Sequence, residues 1–245
     1  MTLPVVHGVP AVTAAQMAEI DRIAATDFAI GVELLMENAS RQVAAAARHV
    51  LGGRVAGKKI VALVGPGNNG GDTAGALCHL VGWGATVLAL VGAEQERLRS
   101  TTRVQIARLL MATTHRTAIV KYADLTVPPA DLVLDGLLGF SAKGAPRDTI
   151  AALIEAANAS KLPILAVDLP SGLDADTGAT PGAVIRAAAT VTLALPKTGL
   201  LAPTANEFVG DPLLADIGVP HAAFAKLGLD TTRLFVEGDL VHIGT

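Results

Sequence analysis

Apolar residues recur along the chain in two patterns, one typical of amphipathic helices and one typical of buried strands. Met17, Ile20 and Ile23 follow at helical spacing after Thr13, a residue type that often caps the start of a helix. A second helix is predicted over residues 32–50. From residue 60 onward, short aliphatic runs alternate with helical segments. The predicted strands cover 60–64, 85–91, 118–122, 132–134, 164–167 and 191–195, and the helices between them cover 72–81, 95–111 and 148–159.

This alternation of strands and helices predicts a parallel sheet with helices on both faces. The expected fold is therefore a Rossmann-like α/β sandwich of three layers with a mostly parallel central sheet. The sequence has no linker-like tract and no internal repeat, so residues 1–245 are predicted to form a single domain. In such a fold, ligands bind beyond the carboxyl ends of the strands, so the residues that follow each strand are the candidates for function.

Composition and charge narrow the class of protein. Apolar residues make up 51% of the chain and charged residues 17%, which is typical of a globular protein rather than a disordered one. Aromatic residues account for only 3%, which favours an aliphatic core of the kind that a buried parallel sheet has. The formal net charge of −3 argues against a nucleic-acid partner, because the chain has no basic surplus to neutralise phosphates.

Cysteine content and hydropathy bear on the compartment. Cys78 is the one cysteine of the sequence, which excludes an intramolecular disulfide and a cysteine-cluster metal site. Residues 1–12 lack the pattern of a signal peptide, and no apolar run reaches the roughly 18 residues of a membrane span. We therefore expect a cytoplasmic protein with no membrane partner.

A glycine-rich segment follows the first of the strands predicted for the sheet. Residues 65–70 fit the G-x-G-x-x-G spacing of dinucleotide-binding loops, between a strand and a helix as that motif requires. Asn68 and Asn69 add amide groups beside the backbone donors of the loop. Asp72 is expected at the start of the helix, where it would cap the helix and also reach a ligand. The alternative is a glycine-rich turn that binds no ligand.

Two carboxylates end buried strands further along the chain. Asp135 follows the strand at 132–134, and Asp168 follows the strand at 164–167. Each residue alone is compatible with a simple loop cap. Because the carboxyl ends of parallel strands meet at one edge of a sheet, both acids are expected to share a crevice with the glycine-rich loop. Burial and mutual repulsion could raise the pKa of one carboxyl enough for acid–base catalysis.

These segments together resemble the YjeF N-terminal domain family, whose enzymes are NAD(P)H-hydrate epimerases. The resemblance extends in order over residues 12–220. Its most specific blocks are Asn-Asn-Gly-Gly-Asp at 68–72 and Asp-Leu-Pro-Ser-Gly at 168–172. Thr73 and Cys78 depart from the pattern, since the family usually has glycine and arginine there. The other matching segments are 35–39, 65–67, Asp135 with Gly139, and 210–220.

The resemblance implies a homodimer that interconverts the R and S forms of the hydrated cofactors NADHX and NADPHX. A separate ATP- or ADP-dependent dehydratase, specific for the S form, would then restore the reduced cofactor, because 245 residues are too few for the dehydratase domain fused in many bacterial members. A potassium ion would be held by Asn69, Asp135 and Ser171, whose oxygen atoms suit a hard cation. The residues implied to bind substrate are Asn68, Asn69, Gly70, Gly71, Asp72, Gly139, Phe140, Ser141, Ala142, Lys143, Gly144, Ala145 and Asp168.

Asp168 is our candidate for the acid–base group, and two other functions stay open. An NAD-dependent oxidoreductase would also use the glycine-rich loop, and Glu94 follows the second strand near the usual place of a ribose-binding acid. No hydride-transfer constellation accompanies it, and Asp72 would oppose a diphosphate. A non-catalytic dinucleotide- or protein-binding module of the same family is the other alternative. Such modules can lose site residues, whereas Asn69 and Asp135 are present here along with Asp168.

Overall fold

The computed structural model describes residues 2–112, 118–122 and 124–244. Within these residues the chain forms nine strands and seven α-helices, joined by loops that include short 3-10 turns. The strands are β1 (Val5–Val6), β2 (Lys59–Val64), β3 (Thr86–Val91), β4 (Ala118–Tyr122), β5 (Leu132–Gly136), β6 (Ile164–Val167), β7 (Ala189–Leu193), β8 (Asp211–Ala215) and β9 (Leu240–Ile243). The helices are α1 (Ala14–Asp27), α2 (Val32–Val50), α3 (Asn68–Gly82), α4 (Ser100–Ala112), α5 (Asp148–Ala159), α6 (Asn206–Val209) and α7 (His221–Ala225).

The described strands join one sheet in the order β1-β9-β8-β7-β6-β5-β2-β3-β4. Neighbouring strands are parallel except for β8 and β9, which are antiparallel. The mostly parallel α/β fold predicted from the sequence is therefore confirmed. From β2 the chain proceeds to β3 and β4 on one side, whereas β5 lies on the other side of β2. The connections after β2 and β5 thus diverge, which opens a crevice at the carboxyl ends of these two strands.

Alternate residues of β2 show that the sheet is covered on both faces. Ile60, Ala62 and Val64 pack into a core cluster that includes side chains of α1, α2, α3 and α4. Val61 and Leu63 point the other way, into a second cluster that includes side chains of α5. Because both faces are buried, the strand has a continuous aliphatic sequence, as expected for a central strand of a parallel sheet. The three-layer arrangement follows from this alternation.

The start of α3 differs from the sequence prediction. The helix begins at Asn68 rather than Asp72, and Gly67, in an extended conformation, is its N-cap. Asparagine and glycine favour turns over helix, so local propensity placed the boundary four residues too late. The tertiary reason is close packing: a Cβ on Gly70 would lie 2.0 Å from the carbonyl oxygen of Gly65. Only a residue without a side chain at position 70 fits against the end of β2.

Other boundaries shift by smaller amounts, and several elements had no prediction. A 3-10 turn occupies 95–97, so α4 begins at Ser100, and β5 extends to Gly136. β7 covers Ala189–Leu193 rather than 191–195. The short strands β1, β8 and β9 were not predicted, because the sheet around them decides their pairing. These strands are only two to five residues long.

The N-terminal helix α1 is fixed at its start by local and distant bonds. Thr13 caps it as predicted: its hydroxyl accepts from Gln16 N, and the Gln16 side chain accepts from Thr13 N at 2.9 Å. Just before the cap, Val12 forms an isolated parallel bridge with Lys197. The start of α1 is thereby attached to the segment after β7. None of the helices in the described part of the chain has the length and hydropathy of a membrane span.

Candidate active site

A cavity of about 550 Å³ opens at the carboxyl ends of the parallel neighbours β2 and β5, where the connections to the next strands diverge. One wall is apolar and is formed by α1 and α2 through Met17, Ala25, Leu35 and Met36. The opposite side is polar and carries two carboxyl groups, one lysine, one arginine, one serine and two asparagines, and Asp21 adds a third carboxyl group from α1. A cavity with an apolar wall and a few converging polar groups is the usual form of a small-molecule site. The polar lining residues are Asp21, Asn68, Asn69, Asp72, Arg99, Ser141, Asp168 and Lys197.

The first turn of α3 brings Asn68 and Asn69 to the cavity. Asp72 lies in the second turn, so the expectation that it caps the helix is wrong. It still lines the cavity, because it is one turn further along the same face. Burial, together with repulsion from Asp168 and Asp21, raises the pKa of Asp72 well above its usual value. The Asp72 carboxyl therefore tends to hold its proton.

Asp168 directly follows β6, where the sequence predicted it. Its backbone has a φ of +68°, a conformation that non-glycine residues rarely adopt. Its backbone N–H donates to Val191 O at 2.8 Å. The side chain is buried but lines the cavity. Among the described residues, its hydrogen bonds are made through Oδ1, which accepts from Lys197 Nζ and from Leu193 N at 3.4 Å.

Lys197 and Asp21 were not singled out in the sequence, yet both belong to this cavity. Lys197 follows β7 and pairs with Asp168. The sequence does indicate Lys197 as a candidate. It is a charged residue four positions after a buried strand, and residues that follow such strands lie at the ligand-binding edge of the sheet, as Asp168 does. Asp21 lies on α1, four residues after Met17. A carboxylate on the same helical stripe as buried apolar residues is unusual, and that position was the signal.

Asp21 faces the acidic side of the cavity from the opposite wall. Its pKa is raised from 3.8 to about 6. Burial is the main cause, attraction to Lys197 lowers the pKa, and repulsion from Asp168 raises it. The site therefore contains three carboxyls for one buried ammonium. An excess of acids in a poorly solvated space favours retention of at least one proton near neutral pH.

The predicted cation ligands lie together beneath the cavity. Ser171 donates to Asp135 twice, from Oγ to Oδ1 at 2.7 Å and from its backbone N to Oδ2 at 2.8 Å. Burial raises the pKa of Asp135 to about 6, although these bonds and one from Leu137 lower it. Asn69 donates through Nδ2 to Leu138 O at 2.8 Å and to Val167 O at 3.0 Å.

One polar atom of the Asn69 side chain has no hydrogen-bond partner among the described residues. This atom, Oδ1, is buried. A buried acceptor without a partner is costly, and a bound cation would satisfy it. The oxygen-rich donor set of Asn69, Asp135 and Ser171 therefore fits a hard cation.

Some of the residues predicted to bind substrate line the cavity and others do not. Gly70 and Gly71 face the protein interior, where a Cβ on Gly71 would lie 2.7 Å from Cε of Met36. Lys143 lies outside the lining and pairs with Asp176 at 2.9 Å on the surface. Gly144 and Ala145 are also outside it. The predicted residues in the lining are Asn68, Asn69, Asp72, Gly139, Phe140, Ser141, Ala142 and Asp168.

Two residues raised by the sequence are explained by their surroundings. Thr73, which replaces a usual glycine, is buried, and its hydroxyl donates to Asn69 O at 2.8 Å. It lies directly over Gly136: a Cβ added to Gly136 would lie 1.9 Å from the threonine hydroxyl oxygen. The threonine thus packs against a glycine of β5. Glu94, the candidate ribose-binding acid, is exposed and lies outside the cavity lining.

The chain is similar to known proteins in both sequence and fold. Residues 32–199 match the family model described as YjeF-related protein N-terminus. The chain is 37% identical over 236 residues to a protein of Dehalogenimonas lykanthroporepellens named NAD(P)H-hydrate epimerase, with 95% of this chain and 92% of that protein covered. It is 38% identical over 223 residues to the Bifunctional NAD(P)H-hydrate repair enzyme Nnr of Moorella thermoacetica, covering 87% of this chain and 41% of that protein.

The chain therefore spans about two fifths of the length of the bifunctional relative and nearly all of the epimerase. A solved structure also matches: the crystal structure of the yeast protein YNL200c has a TM-score of 0.80 and 23% identity, covering 96% of this chain and all of the other. At that identity the match is evidence for the fold alone.

Proposed function

The chain belongs to the YjeF-related N-terminal family, and from this premise we propose that it is an NAD(P)H-hydrate epimerase that interconverts the R and S forms of NADHX and NADPHX. Membership follows because the family model covers more than half of the chain and a relative of similar length is 37% identical. That relative carries the name of this activity. The proposal assigns the same activity to this chain.

The observation that carries the proposal is the position of Asp168 in the cavity. Its Oδ1 is engaged by Lys197 and Leu193, while Oδ2 accepts no hydrogen bond from the described residues. A carboxylate oxygen without a hydrogen-bond partner, on a side chain that lines a cavity, is free to exchange a proton with a ligand. The cavity volume of about 550 Å³ also lies within the range of cofactor sites.

The proposed chemistry needs one proton-transfer group beside the hydrated ring. Inversion at C6 breaks the bond to the hydroxyl group and remakes it on the other face, or opens the ring in an equivalent way. If the hydroxyl leaves as water, its oxygen takes up a proton, and the water that returns gives a proton back. Asp168 Oδ2 supplies and recovers this proton in our assignment, so the residue is unchanged after one turnover.

A cation and the glycine-rich turn complete the proposed site. Potassium would be held by Asn69, Asp135 and Ser171, where it would supply positive charge beneath the turn and satisfy the unpartnered Asn69 oxygen. Asn68 and Asn69 would contact the substrate beside the N-terminus of α3, a position that favours anionic groups. The apolar wall of α1 and α2 would exclude water from the ring.

A coupled assay tests the function. R-NADHX is supplied with a dehydratase specific for the S form, and the recovery of NADH is followed by its absorbance with and without this protein. The wild-type protein is expected to accelerate recovery. Asp168→Asn should lower kcat by about 10²–10⁴-fold, the usual contribution of a proton-transfer group. Asp174→Asn, in an exposed turn outside the cavity lining, is the matched control and should keep its rate.

Two results would overturn the proposal. If folded wild-type protein leaves NADH recovery unchanged, the chain is not an epimerase, and dinucleotide binding by thermal shift then tests a non-catalytic module. If Asp168→Asn keeps the wild-type rate, the acid–base assignment fails while the activity stands. Reduction of NAD by candidate alcohols would instead identify an oxidoreductase.

Three further assignments complete the proposal. A separate dehydratase would consume the S epimer that this protein forms, and the bifunctional name of the Moorella relative supports a link between repair activities. A homodimer is proposed, which light scattering on the purified protein tests. A cytoplasmic location is proposed as well, and fractionation of the source cells tests it.

A further inference from the structure

Lys197 is a buried cation without a part in the proton transfer just described. Its side chain is only 1% exposed. Nζ pairs with Asp168 Oδ1 and donates to Leu193 O at 3.1 Å. An ammonium removed from water is costly, and a buried ion pair is weak evidence for stability. Its place in the wall of the proposed active site therefore indicates a functional role.

The backbone around Lys197 is held from the opposite wall of the cavity. Val12 N donates to Pro196 O at 2.9 Å, and Thr198 N donates to Val12 O at 2.9 Å. Lys197 thus lies between two backbone hydrogen bonds to the segment that leads into α1. Val12 is itself fully buried. The backbone of Lys197 is therefore held in place, at a position from which its side chain contacts Asp168.

Three separate segments converge on the ammonium group. Asp168 follows β6, Leu193 ends β7, and Phe140 belongs to the loop after β5. Nζ lies 5.6 Å from the centre of the Phe140 ring, within the range of a cation–π contact. A single side chain thus connects the ends of three adjacent strands, all of which contribute to the cavity lining.

Asp168 needs such support because its backbone is in an unfavourable conformation. Non-glycine residues with a φ near +68° persist only where their surroundings hold them. The surroundings here are the bond from Asp168 N to Val191 O and the contact of Oδ1 with Lys197. Since Lys197 occupies Oδ1, the carboxylate cannot rotate freely, and Oδ2 stays directed away from the lysine.

We propose that Lys197 is a positioning residue that holds the Asp168 carboxylate through Oδ1 and so presents Oδ2 to the substrate. This inference rests on the proposed epimerase function and deepens its account of the site. The ammonium also offsets one negative charge among Asp21, Asp72 and Asp168. Electrostatic attraction to Lys197 lowers the pKa values of Asp21 and Asp72, in keeping with a central place in this group.

The test compares Lys197→Met and Asp168→Asn with the double variant in the coupled epimerase assay. Lys197→Met is expected to lower kcat by about 100-fold, as misplacement of a reacting group does, with little change in KM. In the Asp168→Asn background the same change should have little further effect, because a positioning residue has nothing left to position. If Lys197 were merely structural, Lys197→Met would lower kcat by the same factor with and without Asp168→Asn.

The acid limb of the pH profile gives a second readout. Loss of the positive charge removes the attraction that lowers the pKa values of Asp21 and Asp72. Because Asp21 and Asp72 line the cavity that would hold the substrate, the acid limb of kcat/KM in Lys197→Met should move to higher pH. Equal losses of kcat with and without Asp168→Asn overturn the proposal, whatever the acid limb does.

Lys58→Met is the matched control. Lys58 pairs with Asp131 at 2.9 Å near the amino end of β2, so this variant also removes a lysine–aspartate pair, but far from the cavity. It should keep the wild-type kcat. Circular dichroism checks that each variant is folded. If Lys197→Met does not fold, Lys197→Gln, which retains a donor of similar length, replaces it in the same cycle.

The outcomes separate this inference from the proposed function. An inactive wild-type protein removes the proposed function. An active wild-type protein with an equally active Lys197→Met, or with additive losses in the double variant, removes only the role of Lys197. Activity in wild type and a non-additive loss on Lys197→Met support both.

Discussion

Asp21 contributes an acid to the cavity from a helix that otherwise forms its apolar wall. The pKa of Asp21 is raised from 3.8 to about 6, because the effect of burial is larger than the opposing attraction to Lys197. The folded state therefore binds this proton more tightly than the unfolded chain between about pH 4 and pH 6. The contribution of Asp21 to stability thus falls as pH rises through this window and is constant above it. A pKa difference of this size corresponds to at most about 3 kcal/mol.

Asp21→Asn should stabilise the protein at neutral pH and leave it unchanged in acid. The free energy of unfolding should exceed that of wild type by about 1–3 kcal/mol at pH 7.5, because no carboxylate is then desolvated. The difference should shrink toward pH 4, where Asp21 is protonated in the folded state and about half protonated in the unfolded chain. Urea unfolding at several pH values measures it. A difference of the same size at pH 4 and pH 7.5 would contradict this cause.

The buried Asn69 oxygen leads to a prediction about salt. In potassium chloride the wild-type protein should melt at a higher temperature than in tetramethylammonium chloride of equal ionic strength. An ion at about 100 times its Kd adds about 2.7 kcal/mol to stability. Asn69→Ala should remove most of the difference, since it deletes the unpartnered acceptor. Identical melting curves of wild type in the two salts would exclude a stabilising potassium ion.

At the scale of elements, α3 depends on glycines that allow its first turn to lie against β2 and β5. Gly65 and Gly70 approach each other so closely that a Cβ on Gly70 would lie 2.0 Å from the Gly65 oxygen. Backbone atoms cannot move aside as a flexible side chain can. The position of Asn68 and Asn69 in the cavity thus follows from the absence of side chains behind them.

Gly70→Ala is therefore expected to destabilise the protein by at least about 1–3 kcal/mol, the cost of overpacking. Gly82→Ala, in the last turn of the same helix, is the control, because nothing lies within 4 Å of its added Cβ. The control should be neutral or slightly stabilising, as alanine favours helix. Urea unfolding compares the two. Equal stability of both variants would show that the close approach is not rigid.

At the scale of the whole molecule, the edge strand β1 closes the sheet without touching the cavity. It pairs with β9, where His242 N donates to Pro4 O and Gly244 N donates to Val6 O, both at 2.8 Å. The cavity lining begins only at Met17. Changes at this edge of the molecule should therefore lower stability without lowering activity.

Removal of residues 2–8 should lower the free energy of unfolding by at least about 1–3 kcal/mol, because two backbone hydrogen bonds and the packing of Leu3 and Val6 against the core are lost. Epimerase kcat should remain that of the full chain at temperatures where the shortened protein is folded. Thermal melts and the coupled assay measure the two quantities. A large loss of kcat in folded, shortened protein would show that the edge acts on the site.

The fold could be predicted because it depends on patterns that are local in sequence. Aliphatic runs such as 60–64 and 164–167 are typical of strands buried on both faces, and the helical segments between them favour parallel pairing. Asp168 could be predicted for the same reason, since the end of a strand in such a sheet is the opening of its crevice.

The sequence by itself determined the order of the central strands and helices, the α/β architecture and the edge of the sheet where a ligand would bind. The tertiary structure decided where α3 begins, which loop residues reach the cavity, and that Asp21 and Lys197 join Asp168 there. The physical reason is that local patterns fix what each segment becomes and which of its faces is buried. Close packing of Gly70 and the meeting of α1 with the end of β7 depend on contacts between segments far apart in the chain.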